Sequence, residues 1–116
     1  MPLTVEAFTG TETIGSTEHS MTTDSSGPDV DTTAGMFQAM IDLNAVASGD
    51  TFEFKVYEKC RTGDTQRRVM SATFSGPAGD PLWVSPAIIL GVGWDMTLVK
   101  IAGTDRAINW RIASVA

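Results

Sequence analysis

The sequence predicts an all-β chain folded as one antiparallel β-sandwich of about seven or eight strands, and a jelly roll is one arrangement that fits. Three observations lead there. Apolar and polar residues alternate with the period of two that marks half-buried strands. The alternating runs are short and fairly evenly spaced, and Gly, Pro, Asp and Ser separate them. The length of 116 residues suits a single domain with one core.

In chain order, the first element is a strand in which Leu3, Val5 and Ala7 alternate with Thr4 and Glu6, and Gly10 and Gly15 punctuate the chain beyond it. Residues 16–34 are rich in Ser, Thr, Asp and Gly and predict a loop, with a short strand near His19 to Thr22. Phe37, Ala39, Ile41 and Leu43 share one parity and predict a strand, with a helix as the competing reading. Ser48-Gly49-Asp50 turns the chain. The clearest strand runs from Thr51 to Lys59, with Phe52, Phe54 and Val56 on the dry side and Glu53, Lys55 and Tyr57 on the wet side. Arg61-Thr62-Gly63-Asp64 makes a turn into a strand at about Gln66 to Ser75, giving a hairpin. After the Gly76–Pro81 loop come Leu82-Trp83-Val84 and Ile88-Ile89-Leu90, split by Pro86. Met96, Leu98 and Lys100 share a parity, and Gly103-Thr104-Asp105 is a tight turn. The last strand, Ala107 to Val115, sets Ile108, Trp110 and Ile112 against Asn109 and Arg111.

Composition narrows the function classes. Apolar residues make up 42% and charged residues 19%, an ordinary globular balance. Cys60 is the only cysteine, so no internal disulfide forms, and assembly in a reducing cytoplasm suits the chain. Met1 to Glu6 lacks a basic and an apolar signal region, and the longest apolar patch, Pro86 to Leu90, is too short for a bilayer, so a soluble chain with no membrane partner is expected. Net charge is −6, with eight carboxylates and no Lys or Arg in residues 1–50. Phosphate contacts need cations, so nucleic acid is not an expected partner. The acidic loops serve solubility, or contact with a complementary surface.

Catalytic patterns are sparse. His19, the single histidine, sits in a Ser/Thr-rich stretch without a nucleophile-elbow pattern and is expected to be an exposed loop residue. Asp24, Asp29 and Asp31 are the candidate cation ligands, but they lack EF-hand spacing, and a solvated loop is the expectation. Zinc is not expected, and no cofactor is. Lys59 and Arg61 flank Cys60 without a sequence-near His, which predicts an incidental cysteine. Gly91-Val92-Gly93 lacks the third glycine and the helix of a phosphate loop. Trp83, Trp94 and Trp110 are expected in the core, with a sugar platform as the alternative. Arg67, Arg68, Arg106, Arg111 and Tyr57 are the candidate interface residues. The class expected is a binding and assembling domain, not an enzyme.

Four segments carry a family resemblance: Thr51 to Arg67, Trp83 to Leu90, Gly93 to Lys100 and Gly103 to Trp110. Together, over roughly residues 3–113, they resemble small structural proteins of tailed bacteriophages. That group brings no catalytic motif to carry over. The resemblance implies a virion component assembled in the host cytoplasm. Its first form is a capsid-decoration (cement) protein, often trimeric, that clamps neighbouring major capsid subunits. A tail or head-to-tail component is the rival within the class, and a carbohydrate-binding module on a receptor-binding fibre is the rival outside it. A cement protein can use an arm that orders on binding, and residues 9–34 are the candidate for such an arm or long loop.

Overall fold

A computed structural model describes residues 2–115, which form ten strands and no helix. They are β1 (Leu3–Ile14), β2 (His19–Ser20), β3 (Ser25–Ser26), β4 (Gly35–Asp42), β5 (Thr51–Glu58), β6 (Arg67–Ser75), β7 (Leu82–Val84), β8 (Ile88–Leu90), β9 (Asp95–Ala102) and β10 (Arg106–Val115). One sheet, sheet A, has the order β1-β10-β4-β7, with β8 also paired to β4. The other, sheet B, has the order β3-β2-β9-β5-β6. Every strand pairing is antiparallel.

The ten strands occupy nine positions. β7 and β8 both pair with β4 and are halves of one strand broken at Ser85-Pro86-Ala87, where Pro86 has no N–H for the ladder. Ser85 repairs the break: its N–H donates to Ala39 O, its Oγ accepts from Ala39 N, and the same hydroxyl donates to Pro86 O. With the two-residue edge strand β3 left out and the rest numbered in chain order, the two sheets are ordered 1-8-3-6 and 2-7-4-5. That is the connectivity of a double-sheet jelly roll.

The core lies between the sheets. Phe37, Ala39 and Ile41 of β4, Phe52, Phe54 and Val56 of β5, and Ile108, Trp110 and Ile112 of β10 are buried on the parity the sequence predicts. Trp94 is fully buried, with its ring 4.3 Å from that of Phe37 and edge-on to Phe8 at 5.9 Å. Its Nε1 donates to Thr33 O. Fully burying one such large side chain contributes roughly 1.5–3 kcal/mol. Trp83 is half-buried and packs against Phe54 and Phe74. All three tryptophans therefore belong to the core or its margin, as expected.

Residues 9–34 are more ordered than an arm. Thr9 to Ile14 continue β1 along β10, past Gly10, whose missing Cβ makes room for the Trp110 ring. Beyond them the chain lies across the end of sheet B. Met21 is buried, its N–H donates to Met96 O, and its own carbonyl accepts from Trp110 Nε1. Asp31 and Trp94 exchange backbone hydrogen bonds of 2.8 Å.

Asp95, buried at the start of β9, fastens the same stretch. It accepts from the Thr22 hydroxyl and the Asp29 N–H, both at 2.8 Å. Burial raises its carboxyl pKa, and these hydrogen bonds oppose the rise. A second carboxylate ties two turns together. Asp50 accepts from Ala47 N and Thr104 N at 2.9 Å and from Arg106 Nε at 2.6 Å. The two backbone donors and the guanidinium hold its pKa at about 2.

Candidate functional site

The two sheets present different outer faces. They are built from the strand residues that alternate with the core positions.

The outer face of sheet B is polar and bonded to itself at its centre, with Val69 of β6 and Ile101 of β9 exposed away from that centre. Glu53, Lys55 and Tyr57 point outward from β5, and Thr97 lies opposite Lys55 on β9. Glu18, in the turn before β2, reaches over this face. Its carboxylate accepts from Tyr57 Oη at 2.6 Å and from the Thr97 hydroxyl, and lies 3.8 Å from Lys55 Nζ. Lys55 also stands 3.7 Å from Glu53, which lies 3.9 Å from Arg68 of β6. Burial and the Glu18 carboxylate push the Tyr57 phenol well above its ordinary range, so it stays a hydrogen-bond donor.

The outer face of sheet A is apolar and open. Cross-strand register aligns Ile89 of β8, Met36 of β4, Val115 of β10 and Leu3 of β1 in one row. Ile89 is 80% exposed, Leu3 64% and Met36 40%. The neighbouring row begins with Gln38 and Ala113. Beyond it lies a row of Val84, Met40, Arg111 and Thr9, and then one of Leu82, Asp42, Asn109 and Thr11. Leu82, Val84 and Val5 are also exposed. Isolated apolar residues on a surface are ordinary, whereas a contiguous row across four strands marks an interaction surface.

The five predicted interface residues separate into two groups. Arg67 and Arg68 are exposed on the edge strand β6, and Arg111 sits among the apolar rows of sheet A with no ion pair among the described residues. Arg106 is instead committed to the buried Asp50, and Tyr57 to Glu18. These two sites work within the fold, because each donor already has an internal acceptor. Parity alone identified the outward side of β5, but it could not reveal that Glu18, 39 residues away, covers it.

Other expectations change at the sandwich edge. His19 is buried, not an exposed loop residue. It pairs with Leu98 on the core side of β9, and its ring stands edge-on to Trp110 at 5.3 Å. Its Nε2–H donates to Asp24 Oδ1 at 2.8 Å, while Nδ1 lies 4.0 Å from Glu12. Glu12, His19 and Asp24 are the one group of three or more close metal-type donors among the described residues. The candidate trio of Asp24, Asp29 and Asp31 does not form a group of close metal-type donors among the described residues.

Gly91-Val92-Gly93 does form an anion-binding nest, and the anion is internal. The three N–H groups donate to the Glu58 carboxylate at 2.9, 3.3 and 2.8 Å. Beside this nest Lys59, exposed Cys60, Asp64, Arg67 and Val69 line an open groove of about 760 Å³. No family model, no curated protein and no solved structure matches this chain.

Proposed function

We propose that the chain is a bacteriophage virion structural protein, in the first place a capsid-decoration protein that bridges and stabilises neighbouring major capsid subunits. The observation that carries this reading is the open apolar face of sheet A, which puts a row of large side chains in water across four strands. An exposed apolar patch of this kind supports a surface that docks on another protein. Two further features support the reading. The jelly roll is a framework of viral capsid and lectin domains, although fold alone does not assign function. The resemblance of residues 3–113 to small phage structural proteins points to the same class.

The mechanism is noncovalent. A decoration protein gains its hold by burying surface against the shell, and the shell gains the binding free energy as stability. The β5–β6 hairpin is the natural shell-facing end. Five of the eight cations, Lys55, Lys59, Arg61, Arg67 and Arg68, lie between residues 55 and 68 of this acidic chain. Lys55 pairs with Glu18 and Glu53, Arg61 with Asp64 and Arg68 with Glu53, while Glu58 is taken up by its nest, so Lys59 and Arg67 are the cations of this end without an ion pair among the described residues. A basic end on an acidic protein orients it against a shell of opposite charge. Tryptophan burial argues against the lectin-like rival, because a sugar platform needs aromatic rings open to the ligand.

Cryo-electron microscopy of purified virions carrying this gene, with mass spectrometry of the same particles, tests the reading. Density on the outer capsid between major capsid subunits is the expected result. Density confined to the tail moves the chain to a tail role, and absence from the particle overturns the virion assignment.

A further inference from the structure

We infer that the outer face of sheet A is covered by a second copy of this chain in a two-fold, face-to-face pair. This deepens the structural reading above by naming what covers the open face, and it leaves the basic β5–β6 hairpins free for the shell.

Size comes first. The molecule measures 40 × 29 × 20 Å. Two sheets stacked about 10 Å apart occupy the short axis, so each sheet presents the broad face. A specific interface takes about 800 Å² from each partner, and the broad face can supply it.

Self-complementarity comes second. A two-fold contact sets one patch against itself, so each row must suit its own reversed copy. Consider an axis in the contact plane, parallel to the strands and midway between β4 and β10. It exchanges β4 with β10 and the β7–β8 position with β1, and keeps each row opposite itself. The row Ile89, Met36, Val115, Leu3 then meets Leu3, Val115, Met36, Ile89, apolar against apolar throughout. The row holding Arg111 places that side chain over the second copy's Met40. Asp42 of the second copy lies two residues further along its β4, about 7 Å at ordinary strand rise, within reach of an extended arginine. The Arg111 guanidinium, without an ion pair among the described residues, and a carboxylate of the same face thus meet twice across the axis, with the Arg111 stem on Met40. Twisted sheets stacked this way keep their strands within about 30° of each other, the aligned packing of sandwiches. Sheet B is less suited to this contact, because Glu18 covers its centre and ties up Tyr57, Thr97 and Lys55.

Sedimentation-velocity ultracentrifugation of the full chain, from low to high micromolar concentration, tests the pair. The wild type sediments as a dimer. Ile89→Glu, at a position already 80% exposed, keeps the circular-dichroism melt and raises the dimer dissociation constant about a hundredfold, since each substitution enters an isologous contact twice. Arg111→Asp and Asp42→Arg each weaken the dimer, and the double swap restores it. A monomeric wild type overturns the inference, as does the trimer that the phage resemblance implies, or a dimer indifferent to Ile89→Glu and Arg111→Asp. Virion binding by a monomeric wild type leaves the decoration reading standing without the pair. A dimer absent from virions does the reverse.

Discussion

The two sheets have five strands each and opposite outer faces. On sheet B, Glu18 reaches across to Tyr57, Thr97 and Lys55, and Glu53 links Lys55 to Arg68. On sheet A, Ile89, Met36 and Leu3 stand in water beside an Arg111 without an ion pair among the described residues. The difference separates two uses of a strand's outward residues. Those of sheet B hold a covering segment and so belong to folding. Those of sheet A hold no covering segment among the described residues, and we assign them to assembly. Substitutions should therefore lower stability on B and association on A.

The shared core sets the largest effect. Trp94→Ala removes the ring packed on Phe37 and Phe8 and should cost about 3–5 kcal/mol, read as a lower midpoint in urea denaturation. Glu58→Ala comes next. It leaves the N–H groups of Gly91, Val92 and Gly93 without their acceptor and should cost about 1–3 kcal/mol, with faster hydrogen exchange confined to the loop between β8 and β9.

The comparison itself is sharpened by a smaller pair of substitutions. Tyr57→Phe on sheet B should lose about 0.5–1.5 kcal/mol in thermal melts while sedimentation stays unchanged. Ile89→Ser on sheet A should move monomer stability by no more than about 0.5 kcal/mol while association weakens. If Tyr57→Phe disrupts association and Ile89→Ser does not, the assignment of the faces is reversed.

The smallest prediction concerns acid. Asp50 has a native pKa of about 2 against about 3.9 in an unfolded chain. Its stabilisation is fully present above the unfolded value and is lost as pH falls through the native one. Asp50→Asn should flatten the fall in stability between about pH 4 and pH 2, measured as melting temperature against pH. Asp95, with a raised pKa, acts in the opposite sense. An unchanged acid limb in Asp50→Asn would remove Asp50 from the account.

Much of the frame was legible because it is local. The alternation of Phe52, Phe54 and Val56 located β5, the parity of Phe37 to Leu43 located β4, and Ile108, Trp110 and Ile112 located β10. β2 and β3 were not fully legible, since two residues cannot display a period. On β9 the parity of Met96 and Leu98 was visible, but Thr97 is buried as well because Glu18 and the β2 strand cover it. His19 looked like a loop residue because its partners, Trp110 and Leu98, lie about eighty to ninety residues away. The open face shows the same limit. Alternation told which strand residues share a side, but the uncovered side depends on how the strands assemble, and Leu3, Met36, Ile89 and Val115 come from four distant segments.

Hydroxyl-radical footprinting with mass spectrometry, comparing the dilute monomer with the face-to-face pair in solution, tests the contrast between the two faces. Met36, Met40, Leu82 and Ile89 should become protected on assembly, while Tyr57 and Lys55 keep the labelling they have in the dilute chain. Protection appearing on the sheet B residues, with Met36 and Ile89 still fully labelled, would contradict the account.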